Sequence, residues 1–116
     1  MIPLVRVLDE HVGATAVATV DGEIDASNAR DVAERLRGSL TNHTHVLVLD
    51  LTETTFIDSA GLNALFALDR ELTGRRQRLI LVIREESPVA RVAAITGLLG
   101  TVASYRTRDE ALAAAD

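Results

Sequence analysis

Asp58 and Ser59 stand side by side where two hydrophobic rhythms meet. Before them, Val46, Leu47, Val48, Leu49 and Leu51 form a nearly continuous apolar run, the pattern of a strand covered on both faces. After them, Gly61, Leu65, Leu68 and Leu72 recur at helical spacing, which predicts an amphipathic helix. A hydroxyl beside a carboxylate is therefore expected at a helix N-terminus. Unpaired N–H groups and the positive end of the helix dipole favour an anion there, a phosphate on Ser59 included. The same pair also reads as an ordinary helix cap, since Asp and Ser are preferred at that position in any protein.

Other chemistries fail on specific residues. A serine hydrolase elbow needs glycine two residues before the nucleophile, where Ile57 stands, and His11, His43 and His45 all precede Ser59, against the hydrolase order. A phospho-aspartate receiver built on Asp50 requires a lysine, and the chain has none; a phosphate loop ending in Gly-Lys-Ser/Thr is missing for the same reason. His43 and His45 lie two apart in a polar loop with no third ligand nearby in sequence, so no metal is expected. With zero cysteines there is no disulfide, thiolate zinc site or thiol nucleophile. The reading is a protein without a cofactor and without enzymatic activity of its own.

The elements that must position Ser59 follow in chain order. Leu4 to Leu8 and Thr15 to Val20 read as a hairpin-like strand pair separated by Asp9 to Gly13, with Asp21-Gly22 ending the second strand. Ala29, Val32, Ala33, Leu36 and Leu40 have the spacing of a helix that starts near Asp25 or Ser27. The central strand and helix follow, stopped at Gly74. Leu79 to Ile83 is another buried strand, Pro88 opens a third helix that ends before Gly97, Thr101 to Tyr105 forms a last strand, and Thr107 with Glu110 caps a terminal helix. The fold expected is α/β, one domain over residues 1–116, with a mixed, mostly parallel sheet of about five strands and four helices in the order ββαβαβαβα. Sites in such sheets gather at the carboxyl ends of strands. If the strands ending at Gly22-Glu23-Ile24-Asp25 and at Ile57-Asp58 are neighbours, Asp25, Asp58 and Ser59 converge.

Seventeen acids against twelve bases give a net charge of −5, and the two Phe, one Tyr and absent Trp offer no base-stacking platform, so nucleic acid is not an expected partner. No apolar run approaches the ~18 residues of a membrane span, and Met1 to Arg6 lacks a basic segment leading into a long apolar one. A cytoplasmic protein without membrane attachment is the expectation. On the central helix, Leu62 and Phe66 fall on a flank about 100° from the buried stripe. That flank either docks a partner or packs beneath a neighbouring helix.

Three separated motifs resemble the STAS domain family, specifically its stand-alone anti-sigma-factor antagonists. Gly22-Glu23-Ile24-Asp25 is similar to the family's G-E-[LI]-D, Phe56 to Leu62 to its F-[IM]-D-S-[SA]-G-L, and Ser87-Pro88-Val89 with Thr96-Gly97-Leu98 to its third pattern. The resemblance implies that Ser59 is phosphorylated by a partner that is both anti-sigma factor and ATP-dependent serine kinase. The unmodified protein would bind that partner and free the sigma factor, phosphorylation would release it, and a serine phosphatase would reset the cycle. The partner-binding residues implied are Asp25, Asp58, Ser59, Ala60, Gly61, Leu62, Asn63 and Phe66, on a monomer or weak homodimer. Ala60 departs from the second serine common in the family, and Asn63 stands where a small residue is frequent; both bear on which kinase is recognised. The other role implied for this fold is a non-catalytic STAS subunit of a membrane transporter or signalling scaffold.

Overall fold

Gly13, at φ 60°, has the left-handed backbone that a two-residue hairpin loop asks of its first position. It folds β1 (Val5–Val12) antiparallel onto β2 (Thr15–Ile24), pairing Val12 with Thr15 and Val5 with Gly22. The computed structural model describes residues 5–116. The expected strand start at Leu4 lies outside the described residues. Both strands outrun the sequence reading. Asp9 to Val12 are polar or exposed yet stay in the ladder, because β1 is an edge strand with a solvated face. Asp21-Gly22 does not end β2, which continues through a bulge at Gly22/Glu23 to Ile24.

The remaining elements are α1 (Ala29–Gly38), β3 (Val46–Asp50), β4 (Thr54–Ile57), α2 (Ser59–Gly74), β5 (Arg78–Val82), α3 (Pro88–Thr96), α4 (Leu98–Thr101), β6 (Ala103–Tyr105) and α5 (Arg108–Ala115). The sheet runs β1-β2-β3-β5-β6, parallel from β2 onward, with β4 paired to β2 off this path. The alternating architecture is the expected one, with β4 and the single turn α4 in addition.

Alternation along β3 explains its unbroken apolar run. Leu47 and Leu49 join the larger core beneath α1, α2, α3 and α4, whereas Val46 and Val48 face a smaller cluster closed by Ala111 of α5. Helices therefore cover both faces, four on one side and α5 on the other. Ser87 accepts the N–H of Ala90 at 3.0 Å with Pro88 behind it, and Gly97 at φ 84° closes α3 in the left-handed conformation. The N–H of Glu110 reaches Thr107 Oγ1 at 3.2 Å, capping α5. At the start of α1 the capping position is Asn28, not Asp25 or Ser27, and it makes no side-chain cap bond. α2 stops at Gly74 as expected, although the left-handed residue that follows is Arg76, at φ 59°.

Arg108 fastens α5 across three strands. Its guanidinium donates to Glu10 on β1 at 2.5 Å, to Thr19 on β2 at 2.7 Å and to Asp50 on β3 at 3.1 Å. On the opposite face, Arg35 of α1 donates to the Val7 carbonyl at 2.9 Å, tying the helix to the edge strand.

Candidate functional site

The site forms because β2 has two successive parallel neighbours. Thr15 to Thr19 pair with β3; beyond Leu51 the chain steps aside for a few residues and returns as β4, aligning Glu23 with Phe56 and Ile24 with Ile57. The Asp58 N–H donates to the Ile24 carbonyl at 3.2 Å, extending this pairing by one residue. The ends of the two motifs are thereby brought together, as the sequence required for convergence.

Asp58 caps α2 in extended conformation, with φ −103° and ψ −173°. Its Oδ1 accepts the N–H of Gly61 at 3.0 Å, and its carbonyl accepts that of Leu62 at 2.9 Å. Oδ2 accepts the N–H of Ala26 at 3.1 Å, reaching the loop that follows β2. Ser59 is the first helical residue and is exposed; among the described residues no hydrogen bond engages its Oγ. The hydroxyl is thus open to solvent at the positive end of a sixteen-residue helix.

Gly61 is there for steric reasons. A Cβ at this position would lie 2.7 Å from Ile57 Cγ1, 2.9 Å from Ile24 Cγ2 and 3.1 Å from the Ile24 carbonyl oxygen. Only glycine lets the first turn of α2 approach both strands this closely. Of the two alternatives for the flank, Leu62 takes the packed one: it is 5% exposed and belongs to the main core, because the buried stripe of α2 widens at its N-terminal turn from Gly61 to include Leu62. Asn63 is exposed, while Ala60 and Phe66 are half-buried. Asn63 and Phe66 line a shallow groove with Asp69, Arg70 and Thr101. Burial there pushes the Asp69 carboxyl above its ordinary value.

The loop from Glu23 to Asn28 is braced by its own side chains. Asn28 accepts the N–H of Asp25 at 3.0 Å and donates to the Glu23 carbonyl at 2.8 Å. Asp25 Oδ1 accepts the Ser27 hydroxyl at 2.5 Å and the Ser27 N–H at 2.9 Å; these bonds, the hydroxyl's first, hold the Asp25 carboxyl below its usual range. Sequence reasoning missed these braces, although Asp-x-Ser-Asn is a recognisable turn pattern in which short polar side chains bond nearby backbone. It named Phe56 as the start of the second motif but not its exposure, a large apolar side chain left 46% exposed beside the site. His43 and His45 are both exposed, and among the described residues no group of three or more His, Asp or Glu is placed to hold a metal. No described helix is long and apolar enough to cross a membrane.

Comparison with known proteins assigns the class. The STAS domain family matches residues 6–111, and the chain belongs to that family. It is 37% identical over 79 residues to the anti-sigma-B factor antagonist of Listeria monocytogenes, an alignment covering 68% of each chain. The crystal structure of an anti-sigma factor antagonist from Mycobacterium paratuberculosis matches with a TM-score of 0.85 at 30% identity, over 96% of this chain and 93% of that one. The murine anion transporter Solute Carrier 26 family member A9 shares the fold alone, with a TM-score of 0.79 at 16% identity over 91% of this chain and 18% of the transporter.

Proposed function

We propose that this protein is an anti-sigma-factor antagonist switched by phosphorylation of Ser59. In its unmodified form it binds an anti-sigma factor that is also a serine kinase, and the sigma factor is freed. Phosphorylation by that kinase ends the contact, and a serine phosphatase restores it. The protein has no turnover of its own and acts in the cytoplasm as a monomer or weak homodimer. Asp25, Asp58, Ser59, Ala60, Gly61, Asn63 and Phe66 surround the docking site, with Leu62 supporting it from the core.

The observation that carries this reading is the exposed Ser59 hydroxyl, unengaged among the described residues at the start of α2, beside Asp58 and a loop bearing Asp25. Support for the antagonist role comes also from the relatives, which are anti-sigma factor antagonists. The physics is consistent. Phosphate adds roughly −1.5 to −2 charges at neutral pH, which the helix terminus tolerates within the fold. Against a partner that must desolvate the same patch, the added charge opposes docking.

The test is to incubate the purified protein with ATP and each kinase-type anti-sigma factor encoded in the same genome, then map the phosphosite by mass spectrometry. Label on Ser59 is the expected outcome. No label with any of them, together with stable co-purification with a transport protein, would assign the chain to the scaffold role instead.

A further inference from the structure

One carboxylate ties together two motifs that are 32 residues apart. Asp58 Oδ1 receives the N–H of Gly61 in the first turn of α2, and Oδ2 receives the N–H of Ala26 in the loop after β2. The other side-chain bonds of that loop are local: Asn28 to Asp25 and Glu23, and Ser27 to Asp25. Among the described side-chain hydrogen bonds, the one between Asp58 and Ala26 is the one that carries the loop across to the helix bearing Ser59.

We infer that Asp58 is a positioning residue that makes one docking surface out of two segments, and that charge on Ser59 reaches the Asp25 loop through it. The inference rests on the role of Ser59 proposed above. A phosphoryl group on Ser59 repels the neighbouring carboxylate and competes with it for the N–H groups of the first turn. Both oxygens of Asp58 are engaged, one with each segment, so a carboxylate that turns away from the phosphoryl group disturbs both bonds. Strain at the helix end is therefore passed to Ala26, and the loop that presents Asp25 and Ser27 loosens as partner affinity falls.

Asp58→Ser separates the two bonds. Serine caps a helix about as well as aspartate, but its single short oxygen cannot serve both N–H groups. Amide hydrogen exchange followed by NMR reads each bond individually. In Asp58→Ser, exchange at Ala26 is expected to rise on the order of tenfold or more, the scale of a lost bond to a charged acceptor, while Gly61 stays protected. Should that variant fold poorly, Asp58→Asn keeps one carbonyl oxygen for the cap and is read the same way.

The decisive measurement is Ser59→Glu. It should accelerate exchange at Ala26 in the otherwise native chain and add nothing further in the Asp58→Ser background, a non-additivity that a purely structural cap would not produce. Unchanged exchange at Ala26 in Ser59→Glu, or equal increments in both backgrounds, overturns the inference. Coupling without any effect of Ser59→Glu on anti-sigma factor binding would overturn the functional reading alone. Loss of binding without coupling would overturn only the role given to Asp58.

Discussion

A Cβ on Gly61 would stand 2.9 Å from Ile24 Cγ2 and 3.1 Å from the Ile24 carbonyl oxygen, so the helix bearing Ser59 rests directly on the last residue of β2. Gly61→Ala forces these elements apart. Overpacking of this kind costs about 1–3 kcal/mol, of which helix propensity returns up to ~1. A net loss of about 1–2 kcal/mol is expected, seen in thermal melts as roughly 4 °C per kcal/mol for a domain of this size. Partner affinity should fall with it, since the displaced backbone belongs to the docking site proposed above.

Ser59→Ala is expected to hold the anti-sigma factor in complex even with ATP present. Ser59→Glu should weaken that complex by about tenfold or more, the order of one unfavourable charge at a desolvated contact. Titration calorimetry with and without ATP checks both. Equal binding by the two variants would mean that charge at Ser59 is not the control.

The Arg108 clamp is expected to matter for stability and not for switching. Asp50 is nearly buried, with a side chain 8% exposed, and its Oδ1 is occupied by the Thr52 N–H at 2.9 Å and the Thr52 hydroxyl at 2.6 Å. Arg108→Met strands Oδ2 without its cation. Arg108 is itself 38% exposed, so solvent softens the loss, and about 2 kcal/mol is expected in denaturant unfolding. Adding Asp50→Asn should recover part of it, because no charge is then left unpaired.

Acid should act in opposite directions on two carboxyls of α2. The Arg37 guanidinium, which bonds Glu71 at 2.7 and 3.0 Å, holds the Glu71 carboxyl below its ordinary value. Its stabilising contribution is present above the ordinary glutamate pKa and is lost as pH falls through the lowered one. Asp69 is raised by burial, so its ionised form disfavours the fold near neutrality and the penalty lifts as pH falls through that raised value. Glu71→Gln should therefore cost up to about 1 kcal/mol at neutral pH, less in high salt, and little in acid. Asp69→Asn should raise the melting temperature at neutral pH and leave it unchanged in strong acid.

Much of the scaffold was legible because its signals are local. The apolar run at Val46 to Leu51, Pro88 at the start of α3, the capping pair at Thr107 and Gly97 at the end of α3 each act within a few residues. β4 was not legible: Thr54 and Thr55 look like a polar connection, and the segment is a strand only because the end of β2 is free to receive it. Leu62 was left open between docking and packing for a related reason, since helical spacing fixes an angle but not where the neighbouring strands press closest. Asp25, Asp58 and Ser59 could be nominated from type and order, but not the use of both Asp58 oxygens, which depends on where the Ala26 N–H arrives. The Arg108 clamp spans 98 residues to Glu10 and leaves no trace in any short window.

The step between β3 and β4 works as a ruler. Leu51, Thr52 and Glu53 set how far along β2 the returning chain lands, and hence where α2 begins relative to the end of that strand. Lengthening or shortening that step by one residue would slide the acceptor hydroxyl along its neighbour while leaving the pairing of Thr15 to Thr19 with β3 untouched. The start of α2 can thus be repositioned within this architecture by indels in a three-residue connection, with the centre of the sheet unchanged.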